Sequence, residues 1–266
     1  MTTAAAVVVV LFVLVATNVW VHLGPGQVHV VTGPLAAMLL LVLARVAGLS
    51  RQELGLSGQT LVRGLQVGLV CAVAVGIVYA AGVAIPFTRG AFRDTRYRLG
   101  LKAVLYTALV AIPLGTVMFE EVAFRGVLWG LLSRGVGVTL ATVLSACLFG
   151  IWHVLPALDL ARTHISVKGS STAGADRRRI AVTVLATIVF TTLAGIVFAE
   201  LRRRSGSLLA PIGLHWATNG LGVLAAARVW AISPGDVAVP EVPVPPALAD
   251  RAVWQRIMIR LRAGRS

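Results

Sequence analysis

Three short strings place ionisable or strongly polar side chains inside otherwise apolar stretches. They are Glu120, Glu121 and Arg125 within FEEVAFRG, Phe149 and His153 within LFGIWH, and His215 and Asn219 within GLHWATN. An ionisable side chain in hydrocarbon costs roughly 2.5–3.5 kcal/mol on insertion scales, so each of these residues needs a partner or a task. Helical spacing sorts them. Glu121 and Arg125 stand four apart on one face, where they can pair. Glu120 is turned by about 100° from its neighbour and is free to face another cavity. Phe149 with His153, and His215 with Asn219, repeat the four-residue interval, so an aromatic wall lies beside one imidazole and a carboxamide beside the other.

A carboxylate near imidazoles and a carboxamide in a low-dielectric cavity can activate water, because desolvation brings a carboxylate's proton affinity closer to that of a useful general base. Glu120 would take a proton from water as the oxygen attacks a peptide carbonyl. One histidine would orient that water or protonate the leaving amine, and the other would join Asn219 in donating to the oxyanion. The same donors suit a divalent metal such as zinc, with Glu120, His153 and His215 as ligands and an open position for water. The helical HExxH signature is absent, so spacing leaves metal-bound and metal-free chemistry equally open. Each residue also has a packing explanation: a clasp for Glu121 with Arg125, interhelical hydrogen bonding for Asn219, core roles for Phe149 and either histidine. Glu120 fits that account least, because Arg125 is better placed for Glu121. His22, His29 and His164 receive no role.

Composition supplies the elements that must hold these groups. Of 266 residues, 58% are hydrophobic and 13% charged, and mean hydropathy is +0.88. A soluble domain averages about 45–50% apolar and about 25% charged residues, so this chain lacks the polar surface to cover itself in water. Apolar runs of spanning length cover about 4–23, 28–46, 64–85, 102–132, 138–155, 180–201 and 208–229. The fold class expected is all-α, a polytopic transmembrane bundle of about seven to eight helices. Gly24-Pro25-Gly26 forms a turn, Pro113 a possible kink site, Ser133 to Gly137 a tight turn, and Pro156 an end to the fifth run. Residues 159–179 read as the longest hydrophilic loop.

The chain divides into N-terminal helices and linkers (1–101), a catalytic core (102–229), and a Pro-rich connector with a basic tail (230–266). In that tail Val253, Trp254, Ile257, Met258 and Leu261 form one helical stripe, suited to a membrane surface. The net charge of +14 comes from Lys and Arg lying almost entirely between apolar runs, without aromatic interleaving. That pattern points to anionic lipid headgroups and away from nucleic acid. Cys71 and Cys147 lie inside apolar runs and read as small buried hydrophobes. The charge-free turn near Pro25 favours an outside loop, which would put the basic 87–102 loop outside as well, so charge does not fix the orientation.

The strings EEVAFR, FGIWH and HWATN match, in order, the EExxxR, FxxxH and HxxxN motifs of the CPBP family, the CAAX-protease and bacteriocin-processing glutamic intramembrane proteases. The chain resembles that family over about residues 102–220. The resemblance implies a helical bundle similar to the type II CAAX prenyl endopeptidase, acting on a peptide near the membrane surface. It puts Glu120 in the role of water activator, His153 in an assisting role, and His215 with Asn219 at the oxyanion. Glu121 and Arg125 take supporting positions. The site so implied is catalytic Glu120, His153, His215 and Asn219, supported by Glu121, Arg125 and Phe149, in a multi-pass protein of a bacterial cytoplasmic membrane. The alternative function is a non-catalytic bacteriocin-immunity or scaffold protein. A proton-coupled transporter could also use an intramembrane Glu and His, but the repeat symmetry it would carry is missing.

Overall fold

The computed structural model describes residues 2–23, 29–168 and 173–233. The Gly24-Pro25-Gly26 turn, the side chain of His164, the Pro-rich connector and the amphipathic tail lie outside the described residues. Among the described residues eight helices follow one another: α1 (Thr3–Leu23), α2 (His29–Val46), α3 (Gly58–Ala84), α4 (Leu101–Val136), α5 (Val138–Trp152), α6 (Val154–Lys168), α7 (Ala173–Ser205) and α8 (209–232). No strand occurs among the described residues. Among the described residues six helical stretches are long and apolar enough to cross a membrane, and α5 with the start of α6 makes one of them. The protein is an all-α, multi-pass integral membrane protein.

Several boundaries differ from the sequence expectation. The stretch 159–179 is mostly helix, because α6 runs on to Lys168 and α7 begins at Ala173. Pro156 does not end a helix; it sits in the first turn of α6, where a missing N–H is tolerated. The break falls earlier, at His153, which has φ −84° and ψ 5°. Pro156 stands four residues after Trp152 and has no N–H to give the Trp152 carbonyl, so the helix loses that rung there. Helix α4 likewise extends through Val136, and the turn reduces to Gly137 at φ +80°, a conformation glycine adopts without strain.

Small residues bring the helices together. A Cβ on Gly213 of α8 would lie 2.6 Å from the Cα of Gly68 on α3, and one on Gly33 of α2 would lie 2.6 Å from the Gly115 carbonyl oxygen on α4. Contacts this close are the usual basis of helix association in lipid, where burial of apolar surface gives little advantage. Gly213→Val is expected to destabilise the protein by at least the ~1–3 kcal/mol typical of overpacking, read as a lower thermal midpoint in detergent. An unchanged midpoint would refute the close approach of α3 and α8.

Helix α4 widens into π-helical turns at Thr107–Ala111, Pro113–Val117 and Val122–Leu128, and α8 widens at Ala217–Leu221. Such turns leave backbone carbonyls without a regular partner, which in lipid is tolerated only if another donor reaches them. Neighbouring side chains do so at three of the four. Trp216 Nε1 donates to Ala108 O at 2.9 Å, Ser145 Oγ to Phe124 O at 2.8 Å, and Tyr79 Oη to Thr218 O at 3.1 Å. The widened turns thereby tie α8 to α4 and α3, and α5 to α4.

The main core joins Val10 and Leu14 of α1, Leu40 and Ala44 of α2, Phe119, Phe124 and Leu128 of α4, Phe149 and Trp152 of α5, and Phe198 of α7. Cys71 is half-buried and Cys147 is exposed on the outside of α5, so Cys147 is not the buried residue its apolar surroundings suggested. Between α2 and α3, Ser50 and Glu53 cap each other reciprocally: Ser50 N donates to Glu53 Oε2 at 2.8 Å, and Glu53 N donates to Ser50 Oγ at 3.2 Å. Arg134 of α4 grips the same carboxylate with two bonds of 2.6 and 2.8 Å. The Arg134 hydrogen bond holds the Glu53 carboxyl at about 2, well below its ordinary 4.5. A depressed carboxyl stabilises the fold fully above its unfolded value and loses that contribution as pH falls towards its folded one. Glu53→Gln is therefore expected to lower the thermal midpoint at pH 7, with the gap to wild type closing between pH 4.5 and about 2. A gap independent of pH would refute the ion pair's role.

Candidate active site

Helix α4 brings Glu120, Glu121 and Arg125 to the centre of the bundle, and all three are buried. Glu121 is the hub. Its Oε1 lies 3.2 Å from Arg125 Nη1 and 2.8 Å from Nδ1 of His215 on α8. The rest of the Arg125 guanidinium makes no hydrogen bond and is surrounded by rings, with Phe149 at 3.9 Å, Phe198 at 5.0 Å and Phe124 at 5.9 Å from its carbon. A cation over aromatic faces recovers part of the desolvation cost that unmade hydrogen bonds would leave. Phe149 therefore serves the arginine as much as the histidine.

Glu120 points to a different partner, as its rotation along the helix requires. Trp152 Nε1 donates to Glu120 Oε1 at 2.9 Å. The other oxygen, Oε2, is buried without a hydrogen-bond partner and lies 3.7 Å from His215 Nε2. His215 thus bridges the two glutamates, with one ring nitrogen towards each. Its ring is stacked on Phe198 of α7, centroids 4.8 Å apart and planes 20° from parallel.

The remaining members of the set stand further out. His153, half-buried at the break between α5 and α6, turns its Nδ1 back to Phe149 O at 2.7 Å and meets the Phe149 ring edge-on at 4.6 Å. Among the described residues, His215 supplies the only imidazole within ion-pair distance of either carboxylate. Asn219 is exposed one turn beyond His215, in the widened part of α8. Its amide makes no hydrogen bond with the glutamates or the histidines. Three residues of the cluster carried no signal in the motifs: Trp152, Phe198 and Asn18, whose Nδ2 donates to Trp152 O at 3.0 Å.

Hydrogen-bond chemistry assigns the ring protons. A carbonyl only accepts, so Nδ1 of His153 carries the proton. An ionised carboxylate also only accepts, so Nδ1 of His215 carries it as well, facing Glu121. In the neutral form of either ring Nε2 is then a proton acceptor, and in His215 this is the atom that faces Glu120.

Glu120, His153 and His215 do not converge as three ligands on one point. Among the described residues no group of three His, Cys, Asp or Glu side chains is placed to hold a metal ion. The arrangement does not fit a zinc set of Glu120, His153 and His215.

A multi-pass helical membrane protein with a buried Glu–Glu–His–Arg cluster is the class this fold and site define. Residues 102–221 match the family described as type II CAAX prenyl endopeptidase, Rce1-like. The match covers the segment carrying the cluster, while residues 1–101 and 222–266 lie outside it. No curated protein and no solved structure matches the chain.

Proposed function

We propose that this protein is an intramembrane endopeptidase of the CAAX type, hydrolysing a peptide bond near the membrane surface with water activated by Glu120. The observation that supports it most is the unpartnered, buried Glu120 Oε2 facing His215 Nε2 at 3.7 Å. Leaving a carboxylate oxygen unpaired in a buried site is costly, and a fold that keeps one has a use for its lone pair. One water molecule can donate a hydrogen to each of these two acceptors, which turns its own lone pair outward to a scissile carbonyl.

In the first step the water oxygen bonds to the carbonyl carbon, its proton passes to Glu120 Oε2, and the carbonyl electrons move to oxygen. In the second the C–N bond breaks and the proton is delivered to the leaving amine. Asn219, whose amide donates without needing an extra proton, supports the oxyanion. His215 begins as an acceptor and donates to the oxyanion at Nε2 only while it holds the water proton, handed on from Glu120 Oε2 3.7 Å away before that proton goes to the amine. His153, with Nε2 left free, assists proton transfer to the amine. Arg89, Arg93, Arg96 and Arg98, between α3 and α4, suit contact with acidic lipid headgroups.

The test uses the full chain in lipid vesicles and a prenylated peptide ending in a CAAX sequence, with products read by mass spectrometry. Wild type is expected to release the C-terminal fragment, and Glu120→Gln is not. Membrane peptides from cells expressing wild type or Glu120→Gln provide an arm that assumes no substrate. Identical peptide sets together with no cleavage in vesicles would remove the enzyme and leave a binding protein.

A further inference from the structure

The geometry assigns Trp152 as the residue that positions the Glu120 carboxylate for proton transfer, an inference that rests on the hydrolysis proposed above. A carboxylate at the end of a glutamate side chain rotates through a broad, roughly two-fold torsional well, so its plane is not set by the side chain itself. The Trp152 indole fixes it. With Nε1 donating to Oε1 at 2.9 Å, the second oxygen is held towards His215 Nε2 at 3.7 Å and has no other hydrogen-bond partner. Removing the indole proton would leave both oxygens unbonded and free to turn away from the imidazole.

Trp152 is itself held from three sides. Its ring packs against Phe119 and Phe124 with centroids 5.6 and 5.8 Å away. Its carbonyl, deprived of a helical partner by Pro156, accepts from Asn18 Nδ2 of α1 at 3.0 Å. Helix α1 lies outside the family match, and this one bond ties it to the end of α5 that carries the indole. Trp152 touches no reacting atom in this scheme; it acts through Glu120.

A buried indole N–H needs an acceptor in any case, so the test must separate positioning from packing. Trp152→3-benzothienylalanine, made in the full chain, replaces N–H by sulfur and keeps the ring shape. With the prenylated CAAX peptide in vesicles, kcat is expected to fall about tenfold or more, as befits loss of a hydrogen bond to a charged group. KM and the thermal midpoint should stay at wild-type values. In protein labelled with ¹⁵N-tryptophan, the Trp152 indole resonance, identified by its loss in Trp152→Phe, should move in Glu120→Ala. A wild-type kcat for the isostere, a loss of kcat matched by a loss of thermal stability, or an indole resonance indifferent to Glu120→Ala would each overturn the assignment. Absence of any cleavage by wild type would instead overturn the hydrolysis, and the positioning role with it.

Discussion

Replacing Glu120 by glutamine is expected to lower kcat for peptide cleavage by about 10²–10⁴-fold, the range a general base contributes, while the protein folds and inserts normally. Glutamine preserves the length of the side chain, and its amide oxygen can still accept from Trp152 Nε1, so the bond that holds the side chain in place survives. What disappears is an oxygen able to take a proton opposite His215 Nε2. Because the lost interaction develops only as water is deprotonated, kcat and kcat/KM should fall together and substrate binding should hardly change. Steady-state kinetics alongside a thermal melt check both halves. A variant cleaving at the wild-type rate would remove Glu120 from the mechanism, and a variant that fails to fold would move it into the framework of the bundle.

Much of this arrangement was legible in the sequence because lipid imposes simple rules. Apolar runs gave both limits of α1 and α2 and the far end of α3, which begins at Gly58 within the stretch read as a polar linker, and the four-residue interval gave the Glu121–Arg125 pair. The same interval left Glu120 pointing elsewhere, as it does. The sequence could not disclose which residue of the FGIWH string meets Glu120. Periodicity carried the fifth helix on to Leu155 and turned His153 inward, whereas the helix stops at Trp152 and the indole arrives instead. The cause is Pro156, whose missing N–H acts four residues upstream, on the carbonyl that Asn18 then takes. That residue and Phe198 come from helices far away along the chain, and no local pattern pairs them with Trp152 or His215. The extension of α6 and α7 past the expected spans has a similar origin. A helix continues beyond the hydrocarbon whenever its backbone can, and hydropathy does not register the continuation.

The second large effect concerns Glu121 and Arg125, which are 0% and 1% exposed. Removing one partner of a buried ion pair strands the other charge, at about 3–5 kcal/mol. Arg125→Met is accordingly expected to lower the thermal midpoint sharply, since Glu121 would keep only its bond to His215. Glu121→Gln should be damaging for the converse reason, leaving a guanidinium enclosed by Phe149, Phe198 and Phe124 with its carboxylate partner gone. The double variant removes both charges at once, and residues sharing a network do not add, so its stability should exceed the sum of the two single losses and recover part of the wild-type midpoint. Activity should not recover with it. A glutamine amide opposite Nδ1 no longer compels that nitrogen to carry the proton, so the acceptor at Nε2 is no longer guaranteed on the Glu120 side. Stability restored without cleavage would separate the two duties of Glu121, neutralising Arg125 and setting the His215 tautomer. Strictly additive losses would dissolve the clasp, and cleavage restored along with stability would show that the carboxylate serves packing alone.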